Sequence, residues 1–382
     1  MIKYLLSVIL FAPAVLFSQI DKETVYYGKD YFIIEGTIIP VNEKESPYDR
    51  LPALYKDIVR KPVWNLSKSS AGLAIRFVTD SPYIKVKWEV LNNFSMNHMP
   101  DTGIKGVDLY YKNNNEWQYI NTGRPQGFKN QYTLIENMSN ESKEFKIFLP
   151  LYDGVKNIEI GIGSSSSIEK AKNNDKQPIV FYGTSITQGG CASRPGMAHT
   201  NIISRKLDLD VVNFGFSGNG RMEQPIAELI SNVDAKLYII ECLPNMISPE
   251  NITKRTIPLV NTIRKNNPLA PIVLIDLFKT PISILNSNSK TDSKAMDDAL
   301  KSEFNKMIDL GYNDLYYIET PKIIDSDNEG TVDAIHFTDL GFLRYADFLI
   351  DSLSKLDLLD WWITIFAFSF LNFNDTLLHA FT

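Results

Sequence analysis

The chain has 382 residues, of which 44% are hydrophobic and 22% are charged. These proportions are ordinary for a globular protein, and the length exceeds what one hydrophobic core usually holds, so we expect two domains. The formal net charge is −6 and the sequence has no block of basic residues, which argues against a general nucleic-acid-binding protein.

Residues 1–18 have the pattern of a secretory signal peptide. Lys3 supplies the positive charge, an apolar stretch runs from Leu5 to Phe17, and Ser18 is a small residue at the expected cleavage point. A buried first helix or a membrane anchor is the alternative, but the stretch is shorter than the roughly 20 residues that a span needs. We therefore expect a secreted or periplasmic protein with no integral membrane span after processing.

Residues 19–163 are rich in β-branched and aromatic residues and have no long helical period. The segments AIRFVTD, YIKVKWEV, VDLYYK and FKIFLP each have the length and composition of a strand, and IKVKWEV alternates strictly between apolar and charged residues. Three asparagines, 113–115, mark a hairpin turn between two such segments. This region is predicted to be an antiparallel, jelly-roll-like β-sandwich, and the polar residues 164–177 are predicted to be a linker.

Residues 178–357 show a different pattern, in which five apolar strand segments alternate with segments of helical spacing. That alternation predicts an α/β domain with a parallel sheet covered by helices on both faces. Residues 358–382 form an apolar tail whose core, residues 361–373, is too short to span a bilayer. The tail could pack on the body, lie at a membrane surface or be an artefact of the sequence, and its role is left open.

Two segments carry residues suited to acyl transfer. The strand PIVFYG runs into Thr184 and Ser185, at the sheet edge where parallel α/β folds bind ligands. Near the end of the chain, Asp333 and His336 follow the last predicted strand at a spacing that lets a carboxylate orient an imidazole. Ser185 is the candidate nucleophile and His336 the candidate base. The alternative is that Ser185 caps a helix in a strand-to-helix turn, and that Thr338 caps the last helix with Asp333 at the surface.

Two further loops carry candidate donors for an oxyanion hole. Gly218 follows the second strand of the predicted sheet and offers a backbone N–H, and Asn245 follows the third strand and offers a side-chain amide. Glycine and asparagine are also common in plain turns, which is the alternative for either residue alone.

These segments resemble the four sequence blocks of the SGNH, or GDSL-like, hydrolase family: GTSIT, GFSGNG, CLPN and DAIHFTD. The resemblance implies a flavodoxin-like parallel sheet, a Ser185–His336–Asp333 triad, and an oxyanion hole from Ser185 N–H, Gly218 N–H and the Asn245 amide. The sequence departs from the family at Thr184, where the family name has Asp, and at Met246, where an aspartate usually follows the asparagine.

The segment GVDLYYK, residues 106–112, resembles the G-x-D-L-Y signature of a β-rich domain that precedes some bacterial SGNH hydrolases. The two resemblances together imply a secreted bacterial serine esterase that removes acyl groups, often acetyl, from carbohydrate. An acylated small molecule or polysaccharide is then the expected substrate, with no cofactor and no catalytic metal; the sequence contains no H-E-x-x-H motif.

The family's fold also implies that Cys191 and Cys242, the two cysteines of the chain, flank the active-site edge. A disulfide between them is one expectation, and two separate buried thiols are the alternative. Arg194 and His199, in the loop after the nucleophile, are candidate contacts to a hydroxylated substrate. Two other functions stay open: a carbohydrate-binding or adhesion protein with an inactive hydrolase fold, and a lipase-like acylhydrolase or transferase.

Overall fold

The computed structural model describes residues 23–320 and 327–359. The predicted signal peptide, residues 1–18, and the apolar segment 361–373 lie outside the described residues. None of the described helices is long and apolar enough to cross a membrane.

Ten short strands and two short α-helices make up the N-terminal part of the described chain. Strands β1 to β10 are, in order, Thr24–Tyr27, Ile33–Glu35, Ala74–Thr79, Ile84–Val90, Val107–Asn113, Glu116–Gly123, Lys129–Ile135, Lys143–Phe148, Val155–Gly163 and Ile168–Lys170. Helices α1 and α2 are Lys61–Ser67 and Asp101–Lys105. One antiparallel sheet has the order β1-β9-β4-β7, and the other has the order β10-β3-β8-β5-β6 with β2 beside β3.

The predicted β-sandwich is confirmed, and the alternation in β4 explains how the two sheets pack. Val86, Trp88 and Val90 are buried in the core between the sheets, while the charged residues between them lie on the outer face. The predicted hairpin turn also forms, because Asn114 and Asn115 take positive φ angles of 47° and 68° between β5 and β6.

The predicted linker, residues 164–177, is not wholly a connection. Its residues Ile168–Lys170 form β10, which pairs antiparallel with Thr79–Phe77 of β3. The polar composition hid this strand because it lies at the edge of its sheet, where its residues are half-buried or exposed.

Five parallel strands and seven helices follow in the described chain. Strands β11 to β15 are Ile179–Gly183, Val211–Gly215, Leu237–Glu241, Ile272–Ile275 and Leu315–Ile318. Helices α3 to α9 are Ser185–Gln188, His199–Leu207, Gln224–Ser231, Pro249–Asn266, Ile282–Leu285, Ser287–Asp309 and Asp339–Lys355. The strand order β12-β11-β13-β14-β15 is the flavodoxin-like order, and separate apolar clusters cover the two faces of the sheet, so the predicted α/β fold is confirmed.

Strand β5 joins the two domains through alternate side chains of the G-x-D-L-Y segment. Leu109 packs in the sandwich core, whereas Asp108 and Tyr110 both reach the loop after α3. The buried Asp108 carboxylate accepts hydrogen bonds from Arg194 Nη1 at 2.8 Å and from the Gly196 N–H at 2.7 Å. A Cβ at Gly196 would lie 2.1 Å from the Tyr110 hydroxyl oxygen, so the docking needs a glycine there.

Two arginines of the N-terminal part hold the segment that follows β12. The buried Arg50 guanidinium donates to the Gly215 carbonyl oxygen at 2.6 Å and lies 5.0 Å from the ring centre of Phe216. Arg60 donates to Asn219 Oδ1 at 2.8 Å. Burial without a carboxylate partner lowers the pKa of Arg50 to about 9. The sandwich domain therefore supports the loop that carries Gly218.

Strand β13 ends in a buried carboxylate that ties four elements of the α/β domain together. Glu241 Oε2 accepts a hydrogen bond from Thr187 Oγ1 at 2.8 Å and lies 3.1 Å from His199 Nε2, and Tyr345 donates to Oε1. Thr187 Oγ1 in turn accepts from the Thr184 N–H at 3.1 Å. Burial opposes ionisation of Glu241, but the His199 ring and the hydrogen bonds outweigh burial and lower its pKa.

Replacing Asp108 by alanine is expected to lower the free energy of unfolding by about 3 kcal/mol, because Arg194 and the Gly196 N–H would lose a buried ionic acceptor. Urea denaturation measures the change. The control is Asp298→Ala, which removes an exposed carboxylate paired with Lys294 on α8 and should cost no more than about 0.5 kcal/mol. Equal losses in the two variants would contradict this account of the domain contact.

Glu241→Gln keeps the shape of the side chain and removes its charge. We expect the free energy of unfolding to fall by about 2 kcal/mol, because the amide cannot accept every hydrogen bond that the buried carboxylate accepts. Glu45→Gln is the matched control, since Glu45 is 40% exposed and pairs with two lysines at the surface. A Glu241→Gln protein as stable as the Glu45→Gln protein would refute the role of the network.

Candidate active site

Ser185 lies at the carboxyl edge of the parallel sheet, two residues after the end of β11 and at the first position of α3. Its Oγ lies 2.9 Å from His336 Nε2, and His336 Nδ1 lies 2.7 Å from Asp333 Oδ2. The Ser185 residue is 7% exposed, so the hydroxyl is shielded but reaches the surface. The structure thus brings together the three side chains that the sequence singled out.

A tight turn before α9 sets the spacing of the carboxylate and the imidazole. Asp333 Oδ1 accepts hydrogen bonds from the backbone N–H groups of Ile335 and His336, at 3.1 and 2.7 Å, and Oδ2 remains for the ring. Partial burial opposes ionisation of Asp333, but the hydrogen bonds from His336 outweigh burial and lower the pKa of Asp333. The carboxylate can therefore hold the Nδ1–H tautomer of the ring and leave Nε2 to face Ser185.

Thr338 caps α9 directly after this turn, because its side chain accepts a hydrogen bond from the Gly341 N–H. The capping role that the sequence offered for Thr338 is therefore real, and it does not compete with the contact between Asp333 and His336.

The other two candidate oxyanion donors follow neighbouring strands of the same sheet, Gly218 after β12 and Asn245 after β13. Asn245 Oδ1 accepts from the Gly220 N–H at 3.2 Å, which orients the amide and leaves Nδ2 available. Gly218 is exposed and has a φ of 67°, a conformation that favours glycine. Within the described residues, no protein acceptor takes the backbone N–H of Ser185 or Gly218. These three N–H groups are available to a ligand.

The threonine that departs from the family name has a local role. Thr184 Oγ1 accepts a hydrogen bond from the Ile186 N–H, and the Thr184 N–H donates to Thr187 Oγ1, so the two threonines form a capping box. Threonine, like aspartate, can serve as a helix N-cap. Thr184 therefore holds Ser185 at the start of α3.

Arg194 and His199, the two candidate substrate contacts, both make structural interactions within the protein. His199 is fully buried against Glu241, between the elements described above. The Arg194 guanidinium donates to Asp108 and Tyr110 and lies 3.8 Å from the ring centre of Tyr119. Both residues stand on the loop and helix after Ser185, but their side chains turn to the interior and to the neighbouring domain.

Of the two expectations for Cys191 and Cys242, the structure has the two separate thiols and not the disulfide, because both cysteines are free and buried. Cys242 packs in the apolar cluster on one face of the parallel sheet, with Sγ 3.4 Å from the Tyr182 carbonyl oxygen. Cys191 Sγ instead lies in a group with one ring nitrogen each of His98 and His336. The backbones approach the same edge, but the two thiols face different surroundings.

Sequence reasoning missed two residues next to the site. Glu241 could have been found from the sequence, because it is a charged residue at the end of an apolar strand, and a charged residue buried there requires hydrogen-bond partners. His98 comes from the sandwich domain and belongs to no motif; its ring centre lies 6.0 Å from that of His336. Only the docking of the two domains brings it there.

Comparison with known proteins identifies both halves of the chain. Residues 176–354 match the model of the GDSL-like lipase/acylhydrolase family, and residues 25–168 match the model of the GxDLY domain, the N-terminus of SGNH-hydrolase-type esterases. A search of curated protein sequences gives no match.

Solved structures agree with this assignment. A protein from Bacteroides ovatus, described as a GDSL-like lipase, is 35% identical with a TM-score of 0.84, and the alignment covers 88% of this chain and 99% of that one. A salicylyl-acyltransferase from a tetracycline biosynthetic pathway is 17% identical with a TM-score of 0.72, over 88% and 97% of the two chains.

A family two carbohydrate esterase from Cellvibrio japonicus is 12% identical with a TM-score of 0.58, over 88% and 99% of the two chains. The last two likenesses are of fold alone. With its GxDLY-type sandwich ahead of a flavodoxin-like sheet, the chain belongs to the GDSL-like, or SGNH, lipase/acylhydrolase family.

Proposed function

We propose that the protein is a serine esterase that removes acetyl groups from carbohydrate, with Ser185 as nucleophile, His336 as general base and Asp333 as the group that orients it. The observation that carries the proposal is the continuous chain of contacts from Asp333 Oδ2 through the imidazole to Ser185 Oγ, at 2.7 and 2.9 Å. Both distances allow proton transfer without movement of the backbone.

The geometry supports a two-step mechanism. His336 Nε2 takes the Ser185 proton while Oγ attacks the ester carbonyl carbon, and the resulting oxyanion is held by the N–H groups of Ser185 and Gly218 and by Asn245 Nδ2. The protonated imidazole then gives its proton to the departing sugar oxygen, which leaves an acyl-Ser185. In the second step His336 takes a proton from a water molecule, which attacks the acyl carbon; the imidazolium then returns the proton to Ser185 Oγ as the carboxylic acid leaves. Asp333 stays ionised and stabilises the imidazolium.

Three observations support the proposed substrate class. The partly exposed His98 ring, whose centre lies 6.0 Å from that of His336, offers a polar group that suits a hydroxylated alcohol. The fold is shared with family two carbohydrate esterases, to which the likeness is one of architecture. The leader pattern of residues 1–18 fits the same proposal, since an exported enzyme would meet polysaccharide outside the cell.

Ser185→Ala is expected to reduce kcat for hydrolysis of p-nitrophenyl acetate by about 10⁴-fold or more, because the nucleophile and the proton acceptor act as one unit. Release of p-nitrophenol measures the rate. Ser302→Ala, at an exposed position of α8, is the matched control and should keep the rate of the unaltered protein. If Ser185→Ala were as active as this control, the serine mechanism would be excluded.

The acyl group can be tested on the unaltered protein. We expect p-nitrophenyl acetate to exceed the octanoate in kcat/KM by at least about tenfold, since each misfitting methylene costs about 1–3 kcal/mol in a small pocket. Acetylated oligosaccharides should release acetate into water. Faster cleavage of the octanoate would point to a lipase-like enzyme, and transfer of acetyl to an added alcohol in place of water would point to a transferase. No cleavage of any ester would favour a binding protein.

A further inference from the structure

The loop before α2 brings a second histidine to the active-site edge. His98 and His336 have ring centres 6.0 Å apart with ring planes at 44°. One nitrogen of each ring and Cys191 Sγ all lie within 4.8 Å of one another. Among the described residues, this is a group of side chains that could share one metal ion, and it includes the proposed general base.

Both imidazoles have an oxygen partner at Nδ1. His336 Nδ1 lies 2.7 Å from Asp333 Oδ2, and His98 Nδ1 lies 2.7 Å from Asn97 Oδ1. In the neutral ring, an oxygen partner at Nδ1 places the proton there and the lone pair on Nε2, which is the arrangement found behind metal-ligating histidines; in His336 that lone pair faces Ser185 Oγ. The candidate ligands are therefore one nitrogen from each of the two histidines and the Cys191 sulfur, and each histidine has its Nδ1 directed to an oxygen partner.

The loop that carries His98 is fastened at both ends. The buried Asp153 carboxylate accepts from the backbone N–H groups of Asn92 and Asn93, at 2.9 and 2.7 Å. Lys105 Nζ donates to Asn93 Oδ1 at 3.1 Å, and Met99, beside His98, is buried in an apolar cluster of the α/β domain. His98 is thus presented to the site by an anchored segment.

We propose that His98, Cys191 and His336 form an inhibitory site for a thiophilic divalent cation such as Zn²⁺. Tetrahedral Zn²⁺ bonds of about 2.0–2.3 Å place neighbouring ligand atoms about 3.5 Å apart, so the side chains need to close by at most about 1.5 Å. Nitrogen and thiolate ligands favour Zn²⁺ over Mg²⁺. Ser185 Oγ, 2.9 Å from His336 Nε2, or a water molecule completes the fourth position.

The ion would stop catalysis by a simple competition. It occupies the His336 Nε2 lone pair that must accept the Ser185 proton, and Cys191 releases its thiol proton to solvent when its sulfur binds. This consequence rests on the proposed role of His336, whereas the binding of the ion does not. A chelator should reverse the inhibition, since no covalent bond to carbon forms.

Titration of the chelator-treated full-length protein with Co²⁺ tests the site without any turnover. We expect one equivalent to give the visible bands of tetrahedral Co²⁺ and a near-ultraviolet thiolate-to-Co²⁺ charge-transfer band. Cys191→Ser should abolish the charge-transfer band, while Cys242→Ala should keep it. His98→Gln, a change at a partly exposed position, should weaken Co²⁺ binding at least tenfold. Absence of the band in the unaltered protein, or its persistence in Cys191→Ser, overturns the proposal.

Hydrolysis of p-nitrophenyl acetate in buffered Zn²⁺ supplies the second readout. Zn²⁺ should inhibit and Mg²⁺ should not, and His98→Gln should need at least tenfold more Zn²⁺ for half inhibition, with each rate expressed relative to the same protein's own rate without Zn²⁺. A Co²⁺ band with undiminished hydrolysis overturns the inhibitory role. A Co²⁺ band in a protein that cleaves no ester refutes the esterase function and leaves the metal site standing.

Discussion

The hydrogen bond between Ser185 Oγ and His336 Nε2 joins residues that are 151 positions apart in the chain. It forms because β11 and the segment after β15 both end at the carboxyl edge of one parallel sheet. Each end is then fixed locally, by the capping box around Thr184 and by the turn that Asp333 closes on itself. Neither the capping box nor the Asp333 turn would bring Ser185 and His336 into contact without the sheet, which places both at the same edge.

The sandwich domain is more than a neighbour of the α/β domain. Asp108 holds the loop after α3, Arg50 holds the end of β12, and the loop at His98 reaches the imidazole of His336. The G-x-D-L-Y signature has a physical explanation here: the leucine packs the sandwich, while the residues on either side of it dock the second domain. Loss of that docking would disturb the loop that carries Gly218 as well as the surroundings of His336.

Buried carboxylates need a hydrogen-bond donor for each oxygen, because burial removes them from water. Glu241 and Asp108 are buried carboxylates, and each accepts hydrogen bonds from several donors in different elements, so each acts as a fixed joint. Asp333 is partly exposed and serves the imidazole. His336 Nε2 faces Ser185 Oγ at 2.9 Å, and the proposed proton transfer and the proposed cation would compete for its lone pair.

The sequence by itself determined the fold class and the identity of the central residues. Apolar runs alternating with helical segments predicted the parallel sheet, strict alternation in β4 predicted the sandwich, and Ser185, Asp333 and His336 followed from the positions of their segments after strands. Tertiary structure alone decided where the remaining side chains point. Arg194, His199 and Cys242 turn into the interior or toward the other domain, whereas Cys191 faces the rings of His98 and His336, because side-chain direction depends on packing between elements that no local pattern encodes.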